Sequence, residues 1–470
     1  MMSSRQDAVS ASLAKLLGDR GWLTEPADMV PFCTDWAGRG QTTPLGVARP
    51  NNTLEVAAVV RLCHSEDIVI VPQGGRTGLV LGNIPLRDGV IVLSLSRMNA
   101  ISSPVPGDFC VEVEAGVVLG DLHNALEGTG LMFPMHLGSE GSAQCGGLIA
   151  TNAGGNMAFR YGMMQDQILG LEVVLPDGQI WNGVRLLIKD NAGFHLRRLF
   201  CGSEGRLGII TRAVLRLQSA PRSRSTAFLA FHNIQAALDF STELRLKFGE
   251  LVTGVEFATR TVMDMALKHI PELTFPLEAP ADAYLLVELS STLAGQNLAG
   301  HLEGAFLEGQ EAGLLVDGTI AQNEAQRAAL WRLREELPEG QKRDGPQIKH
   351  DISIPVSRIA EFLDVANARA RDLCPDLRIC AFGHMGDGNI HYNYSPPQVD
   401  EEMPQAHALS NMVYDLVADF GGSFAAEHGL GSKKPMLADR ERSIVERDLM
   451  RALRRALNPK DLLNPGVVID

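Results

Sequence analysis

The stretch that decides the fold is His136-Leu-Gly-Ser-Glu-Gly-Ser-Ala-Gln-Cys-Gly-Gly-Leu-Ile-Ala-Thr-Asn-Ala-Gly-Gly155. It holds six glycines and four serine, threonine or asparagine residues within 20 positions. Because glycine adopts positive φ values and lets backbones approach closely, consecutive N–H groups of such a run can point into one concavity. The pattern predicts a loop whose backbone and side-chain hydroxyls line a long ligand.

A second glycine-rich run, Pro72-Gln-Gly-Gly-Arg-Thr-Gly-Leu79, follows the β-branched segment Ile68–Pro72. A strand that leads into several glycines can form a nest of backbone N–H groups that binds phosphate. Either run alone is also consistent with ordinary turns, but two of them in one domain favour a ligand. The motifs G-x-G-x-x-G and G-x-x-x-x-G-K-[ST] are absent, so a dinucleotide would need a different binding architecture.

The pattern along the chain predicts an α+β protein. Apolar residues at helical spacing between Leu54 and Cys63 lie between two β-branched segments, which predicts one βαβ unit over residues 46–72. The glycine density falls at Ala220–Ser225, and longer strand and helix patterns follow. We therefore predict a ligand-binding domain at 1–220, a substrate domain with an antiparallel sheet covered by helices at 221–402, and a C-terminal helical segment at 403–470.

Composition narrows the classes of function. The 470 residues exceed one compact core, and a net charge of −14 disfavours binding to nucleic-acid phosphates. No apolar run reaches the roughly 18 residues of a membrane span, and residues 1–23 resemble an amphipathic helix more than a signal peptide. The seven cysteines contain no C-x-x-C pair. We expect a soluble, cytoplasmic protein with reduced thiols and no nucleic-acid or membrane partner.

Both glycine-rich runs, Tyr161-Gly162, Leu171-Glu-Val-Val-Leu-Pro-Asp-Gly178 and Phe200-Cys-Gly-Ser-Glu-Gly-Arg-Leu-Gly-Ile-Ile-Thr211 resemble the flavin-binding domain of the vanillyl-alcohol-oxidase superfamily. The resemblance implies a two-part FAD-binding domain, and non-covalent FAD is expected because no histidine or cysteine stands out as an attachment point. The FAD-binding residues that it implies are Pro72, Gln73, Gly74, Gly75, Arg76, Thr77, Gly78, Leu79, His136, Gly138, Ser139, Gly141, Ser142, Gly146, Gly147, Ala150, Thr151, Asn152, Gly154, Gly155, Tyr161, Gly162, Gly208, Ile209 and Ile210.

The run Phe382–Tyr394 indicates a metal site. It contains Asp387-Gly388, the preferred centre of a two-residue hairpin. A hairpin with that centre would place His384 directly opposite His391, with Cβ atoms ~5 Å apart. Two imidazoles on one face can share a metal, and Asn393 would project to the same face by strand alternation.

A third ligand is expected, since catalytic divalent sites commonly take three protein ligands and keep one position open. Glu427-His428, in a glycine-flanked loop, supplies the candidates. Gly383–His391 and Ala426–Gly431 resemble the metal-dependent FAD D-2-hydroxy acid dehydrogenases, a group that includes D-2-hydroxyglutarate and D-lactate dehydrogenases and the glycolate oxidase flavin subunit. The resemblance implies Zn²⁺ bound by His384, His391 and Glu427, with Mn²⁺, Co²⁺ or Fe²⁺ also compatible, and His428 as the substrate-contacting catalytic base.

In such an enzyme a 2-hydroxy acid chelates the metal, His428 takes the hydroxyl proton, and a hydride passes to FAD. Arg334 and Lys349 are candidates for binding the substrate carboxylate, and the alternative is that both are solvent-exposed. D-2-hydroxyglutarate dehydrogenases carry a threonine four residues after this arginine, where this chain has Pro338. This departure leaves the particular acid open: D-2-hydroxyglutarate remains the first expectation, and D-lactate, D-malate and glycolate are the alternatives.

Other classes of function remain open from the sequence. A metal-free flavin alcohol oxidase would tolerate the loss of His384 and His391, whereas a non-catalytic flavin subunit would lack such ligands. A metallohydrolase would leave both glycine-rich runs unexplained. The resemblance also implies an electron acceptor such as an electron-transfer flavoprotein or a quinone, and a homodimer.

Overall fold

The computed structural model describes residues 4–35, 38, 40, 42–278, 280–398 and 403–469. Its helices are α1 (Ser4–Leu17), α2 (Pro26–Cys33), α3 (Thr53–Ser65), α4 (Leu119–Leu126), α5 (Cys145–Ala150), α6 (Ala158–Tyr161), α7 (Leu196–Phe200), α8 (Ile234–Phe248), α9 (Arg260–His269), α10 (Leu298–Glu311), α11 (Glu324–Glu335), α12 (Leu337–Arg343), α13 (Ile359–Leu373), α14 (Ala406–Asp419), α15 (Pro435–Glu441) and α16 (Ile444–Leu457). Its strands are β1 (Trp22–Leu23), β2 (Gly46–Ala48), β3 (Ile70–Gln73), β4 (Ile91–Ser94), β5 (Cys110–Glu114), β6 (Leu131–Met132), β7 (Ile168–Val174), β8 (Ile180–Gly183), β9 (Ile209–Arg216), β10 (Gln218–Ser219), β11 (Ser223–Phe231), β12 (Val252–Thr259), β13 (Ala283–Ser291), β14 (Leu315–Ile320), β15 (Asp351–Ser353), β16 (Arg378–His384) and β17 (Asn389–Ser395).

The chain forms two compact units. The first comprises Met1–Gly155, Tyr161–Ser219 and Glu427–Asp470, and the second comprises Asn156–Arg160 and Ala220–Ala426. The second unit begins where a boundary was predicted but runs past residue 402, which itself lies outside the described residues. The reason is α14, whose apolar face joins the core of the second unit instead of forming part of a separate C-terminal segment.

The first unit contains the predicted βαβ element. β2 and β3 both pair in parallel with β4, which lies between them, and α3 connects them. Asn52 begins α3 as a typical N-cap, because its side-chain oxygen accepts the Glu55 N–H at 3.0 Å. A separate antiparallel sheet has the strand order β5-β9-β7-β8.

The second unit is built on a seven-stranded sheet with the order β14-β11-β13-β12-β16-β17-β15. All of its strand pairs are antiparallel, which confirms the predicted α+β class with a helix-covered antiparallel sheet. One face packs against α8, α10, α13 and α14 in a large apolar core. The other face packs against α9, α11 and α12 around β11, β12, β13 and β16, and its β16–β17–β15 end carries polar residues. The candidate site lies at that end.

The spacing of apolar residues also predicts one helix from Ile320 to Leu337, and the helix in the structure is shorter. β14 ends at Ile320, α11 spans Glu324–Glu335, and a new helix begins at Leu337. Pro338 is the second residue of this new helix, where its missing N–H costs nothing, but inside one continuous helix it would have removed a hydrogen bond. α11 therefore ends at Glu335, before Pro338, and Ile320, which the spacing assigned to the helix, is the last residue of β14.

In the part of the chain that the structure describes, no helix combines the length and the apolar character that crossing a lipid bilayer requires.

Candidate functional site

The hairpin of β16 and β17 has a register different from the predicted one. His384 pairs with Asn389, and His391 pairs with Phe382, so the two histidines are not directly opposed. The reason is the turn: the carbonyl oxygen of His384 accepts hydrogen bonds from the N–H groups of both Asp387 and Gly388, at 3.2 and 3.0 Å. The loop is therefore four residues long, so β16 ends at His384, two residues earlier than a two-residue turn would allow, while β17 begins at Asn389 as such a turn predicts.

The corrected register still brings the two histidines together. They are diagonal neighbours on one face of the sheet, and their ring centroids lie 6.0 Å apart with the planes at 75°. The His391 ring also lies 4.9 Å from the ring of Phe382, its direct partner. Both histidines thus occupy the polar end of the face described above.

Glu256 orients His384. The Oε1 atom of this β12 carboxylate lies 2.8 Å from His384 Nδ1, while Oε2 accepts from Nε and Nη2 of Arg334 at 3.0 and 2.8 Å. Glu256 is fully enclosed, and although burial raises its pKa, His384 and Arg334 together hold the pKa below its ordinary value. Sequence reasoning missed Glu256, whose only signal is a carboxylate inside the otherwise apolar strand Val252–Thr259.

This contact has a chemical consequence for His384. A hydrogen bond from Nδ1–H to the carboxylate puts the imidazole lone pair on Nε2, the arrangement usual in metal-bound histidines. His391 Nδ1 lies 3.9 Å from Asp351 Oδ1, and Asp351 directly faces His391 across the β15–β17 pair. A donor set of two imidazoles with carboxylates behind them fits a divalent cation of the zinc type.

The predicted substrate residues have different surroundings. Arg334 is 9% exposed, so it is not on a solvated helix face, and its guanidinium pairs with Glu256 and lies 5.3 Å from the Phe382 ring. Lys349 is exposed, and the register of Ile348 with Tyr394 places it on the same face as His391. Both roles in binding a carboxylate stay predictions.

Asn393 is on the predicted face but is held by the protein. Its Oδ1 accepts the His350 N–H at 3.1 Å, and its Nδ2 donates to Gln341 Oε1 at 2.9 Å. With 4% exposure, it supports the position of β15 and α12. A contact between Asn393 and a substrate stays a prediction.

In the first unit, the two glycine-rich runs pack backbone against backbone. A Cβ atom on Gly75 would lie 1.9 Å from the carbonyl oxygen of Ser142, and one on Gly74 would lie 3.5 Å from Cα of Gly147. Only glycine tolerates such an approach at residue 75. The fold thus brings together the two loops that were predicted to hold one ligand.

Buried amide oxygens in these loops fit an elongated polar ligand. Gln73 Nε2 donates to the carbonyl oxygens of Phe32 and Asn83, but Gln73 Oε1 has no hydrogen-bond partner among the described residues, and neither does Gln144 Oε1. Both side chains are at least nine-tenths buried. Buried acceptors of this kind call for donors, and the hydroxyl and N–H groups of FAD would supply them.

Four further residues predicted to bind FAD either take part in close backbone packing or turns, or lie in the apolar core. Gly208 packs closely on β7, since a Cβ there would lie 2.6 Å from Val173 Cγ1. Ile209 and Ile210 are buried in the apolar cores of the first unit. Gly162 has a φ of +86°, a conformation that favours glycine. A nucleotide contact at these positions therefore stays a prediction, and for the two isoleucines the side chains are used for packing.

The loop that carries Glu427 and His428 is anchored by Glu204. The Glu204 carboxylate accepts the N–H groups of Leu430 and Gly431 at 2.8 and 2.9 Å. Burial raises the pKa of Glu204 to about 7, because two backbone N–H groups compensate only in part for the lost water. Glu204 belongs to a quoted glycine-rich motif, but its anchoring role could not be read from that motif.

Glu427 itself lies against the first glycine-rich run. A Cβ atom on Gly154 would lie only 3.3 Å from Glu427 Oε1. The first unit therefore brings one predicted metal ligand beside the loop predicted to hold the flavin. Close approach of this kind also explains a glycine at position 154.

Two family models match the chain. The model described as FAD linked oxidases, C-terminal domain, matches residues 220–468. The model described as FAD binding domain matches residues 44–183, which include both glycine-rich runs.

Curated relatives match almost the entire chain. D-2-hydroxyglutarate dehydrogenase of Xanthomonas citri pv. viticola is 36% identical over 454 residues, covering 95% of this chain and 94% of the relative. The mitochondrial D-2-hydroxyglutarate dehydrogenase of Bos taurus is also 36% identical, over 94% of this chain and 80% of its own length. D-2-hydroxyglutarate–pyruvate transhydrogenase of Saccharomyces cerevisiae is 32% identical over 94% of this chain and 89% of its length.

Solved structures confirm the fold. p-Cresol methylhydroxylase with substrate bound has a TM-score of 0.77 and 18% identity, covering 100% of this chain and 98% of that one. 4-Ethylphenol oxidase from Gulosibacter chungangensis has a TM-score of 0.73 and 17% identity, with coverages of 99% and 97%. The predicted resemblance to vanillyl-alcohol-oxidase-type flavoproteins is thereby confirmed at the level of fold.

Proposed function

We propose that this chain, which belongs to the FAD-linked oxidase family and is an FAD-linked dehydrogenase acting on a CH–OH group, oxidises D-2-hydroxyglutarate to its 2-oxo acid. The relatives named above support this substrate. D-Lactate, D-malate and glycolate are the alternatives, because Pro338 replaces the expected threonine.

The observation that carries the proposal is the buried group formed by His384, Glu256 and Arg334. It joins an imidazole oriented for a metal to a guanidinium suited to a carboxylate, through one glutamate. A 2-hydroxy acid presents a hydroxyl and a carboxylate on adjacent carbons. The group therefore matches the two functional ends of this substrate class.

His384, His391 and Glu427 would hold the metal, which when bound supplies Lewis-acid stabilisation of charge on the substrate oxygen. For Glu427 the supporting observation is the anchoring of the residue that precedes it. The N–H of Ala426, the preceding residue, donates to the Asp351 carbonyl oxygen at 3.4 Å, and Asp351 faces His391. One peptide unit then separates Glu427 from a residue bound to the histidine-bearing sheet.

His428 would take the proton of the C2 hydroxyl as general base. Its loop is held by Glu204 from the side of Leu430 and Gly431, so its backbone has a fixed direction. FAD, held by the two glycine-rich runs, supplies the hydride acceptor when bound. Lys349 would bind the distal carboxylate of D-2-hydroxyglutarate, a group that D-lactate and glycolate lack.

The first test is the visible spectrum of the purified protein under anaerobic conditions, before and after adding D-2-hydroxyglutarate. Bleaching of the flavin by the D-enantiomer and not by the L-enantiomer is the expected result. A flavin bleached by D-lactate, D-malate or glycolate alone would overturn the choice of substrate and keep the reaction class.

The variant Lys349→Gln sharpens this test. It should raise KM for D-2-hydroxyglutarate by about tenfold or more, the effect of losing one charged hydrogen bond, and leave KM for glycolate almost unchanged. Arg332→Gln is the matched control, since this exposed arginine pairs with Glu336 on the same helix turn. An equal effect of Lys349→Gln on both substrates would remove Lys349 from recognition of the distal carboxylate.

For the electron acceptor we propose an electron-transfer flavoprotein or a quinone. The yeast relative is named for transfer to pyruvate, which makes pyruvate a second candidate. Reoxidation of the bleached flavin by pyruvate, followed at the flavin band, separates these cases. Rapid reoxidation would favour transhydrogenation over delivery to a redox protein.

A further inference from the structure

A cluster of metal-binding side chains lies in the first unit, outside the residues assigned above as metal ligands. His136 Nδ1 is 3.1 Å from Glu140 Oε2, and His123 Nε2 is 3.9 Å from the same oxygen. Ligand atoms of all three side chains lie within 4.8 Å of one another. We propose that His123, His136 and Glu140 form a second divalent-cation site, suited to Zn²⁺ or a cation of similar chemistry.

The distances fit one tetrahedral ion. With metal–nitrogen and metal–oxygen bonds of about 2.0–2.1 Å, ligand atoms of a tetrahedral site are about 3.4 Å apart. The two separations of 3.1 and 3.9 Å lie on either side of that value. A small rotation of the His123 side chain would equalise them, so the ligands need no movement of the backbone.

The backbone that carries the three ligands is tied together. The Gly120 N–H donates to the Glu140 carbonyl oxygen at 3.0 Å, and the Leu119 N–H donates to that of Ala143 at 2.9 Å. These bonds connect the start of α4, which carries His123, to the turn that carries Glu140. The ligands are therefore presented by a local framework formed within residues 119–143.

The two imidazoles lie side by side in the metal-free state. Their rings stack with centroids 4.5 Å apart and planes 9° from parallel. His123 Nε2 lies 2.9 Å from the Met135 carbonyl oxygen, so its N–H points there in the metal-free state. Because an imidazole binds a metal in the plane of its ring, the stacked rings must separate to share one ion, so binding requires the His123 ring to turn away from the Met135 carbonyl oxygen, with the proton on Nδ1 and the lone pair on Nε2.

The surroundings suit a cation that enters from solvent. The side chains of His136 and Glu140 are 44% and 43% exposed, whereas that of His123 is 19% exposed. Two neutral imidazoles and one carboxylate give the site a charge of −1, on a chain whose net charge is −14. The site shares no residue with the metal ligands proposed for catalysis, but it shares His136 with the residues predicted to contact FAD, so flavin content is measured together with metal binding.

The test is the zinc content and Zn²⁺ titration of the flavin-loaded protein after treatment with chelator. A His384→Ala background removes a proposed catalytic ligand, and there we expect one remaining equivalent of bound Zn²⁺. Adding His123→Gln or Glu140→Gln to this background should weaken the remaining site by at least about tenfold, since one of three ligands is lost. His195→Gln, an exposed histidine elsewhere in the first unit, is the matched control and should bind as the background does.

Cobalt gives an independent measurement. Co²⁺ in a tetrahedral site produces strong visible bands beyond the flavin absorption, and the His384→Ala protein should show them. A His384→Ala protein that binds no Zn²⁺, or one whose affinity is unchanged by both His123→Gln and Glu140→Gln, would overturn the second site. Flavin absorbance and the melting temperature of each variant report whether it is folded. Loss of activity in the wild-type protein after removal of the catalytic metal would test the proposed function and not the second site.

Discussion

Two buried glutamates, one in each unit, show how surroundings decide the ionisation of a carboxylate. Burial raises the pKa of both Glu256 and Glu204. At Glu256 the charged groups of His384 and Arg334 outweigh burial, and the pKa falls below its ordinary value. At Glu204 burial outweighs two backbone N–H groups and the weaker effect of the Lys434 charge, and the pKa rises to about 7. Adjacent full charges thus compensate for lost hydration, and peptide dipoles do so in part.

The two carboxylates also support different kinds of site. Glu256 orients side chains on a rigid sheet, where a metal-binding imidazole needs a fixed ring direction. Glu204 holds the backbone of a glycine-rich loop, where it fixes the path of the chain after His428. The difference predicts that substitution at Glu256 lowers metal binding and the free energy of unfolding. Substitution at Glu204 is predicted to change mainly the pH dependence of the free energy of unfolding.

The largest effect should come from the partner of Glu256. His384→Ala is expected to lose the catalytic metal and nearly all turnover while keeping the yellow colour, because the flavin-binding loops belong to the other unit. Chelation of the wild-type protein should have the same effect, and a divalent cation should restore activity. Full activity after complete metal removal, checked by elemental analysis, would support a metal-free flavin oxidase instead.

The next effect is on stability. Glu256→Ala should lower the free energy of unfolding by about 3–5 kcal/mol, because it leaves the Arg334 guanidinium buried without its carboxylate. Chemical denaturation of the holoprotein at pH 7 measures this loss. Glu308→Ala is the control, since this exposed glutamate pairs with the exposed Lys247. A loss below about 1 kcal/mol in Glu256→Ala would show that the buried ion pair between Glu256 and Arg334 contributes no more than an exposed pair does.

The third prediction concerns the pH dependence of stability that Glu204 causes. Its folded-state pKa of about 7 exceeds the ordinary 4.5, so the folded protein binds the proton more tightly and this residue's contribution to stability falls as pH rises from about 4.5 to 7. Glu204→Gln removes that dependence. The unfolding free energy of the variant, relative to wild type, should increase by about 3 kcal/mol between pH 4.5 and 8. A parallel pH profile for the two proteins would contradict the raised pKa.

The smallest effect concerns a third buried carboxylate, Glu172, which pairs with Arg212 as Glu256 pairs with Arg334. Thr211 Oγ1 also donates to Glu172 Oε1 at 2.9 Å. Thr211→Val keeps the shape and removes this donor, so it should cost about 1.5–3 kcal/mol of stability. Thr226→Val, beside the buried Glu288, is the matched control variant and should cost a similar amount. A neutral Thr211→Val would show that Arg212 and the Thr53 hydroxyl satisfy the carboxylate without it.

Much of the candidate site was predictable because its signals are local. The glycine-rich runs, the two histidines of the β16–β17 hairpin and the Glu427-His428 pair each lie within a few residues of sequence, and the family comparison agrees with the class of enzyme that they predicted. The predicted register of the hairpin is wrong, because the Asp387-Gly388 pattern predicts a two-residue turn centred on these residues. In the structure the His384 carbonyl accepts two N–H groups and extends the loop to four residues.

The sequence by itself determined the two glycine-rich loops, which depend on residue types at short spacing, and the resemblance of its motifs to a known family implied the flavoprotein class and the FAD-linked dehydrogenase activity. Only the tertiary structure decided which side chain or backbone group contacts each site residue. His384 and Glu256 are 128 positions apart in sequence, Glu204 and Leu430 are 226 apart, and Arg334 became a buried partner instead of an exposed helix residue. Burial and pairing of charges arise when distant strands and loops pack together, and no local pattern encodes which carboxylate will meet which cation.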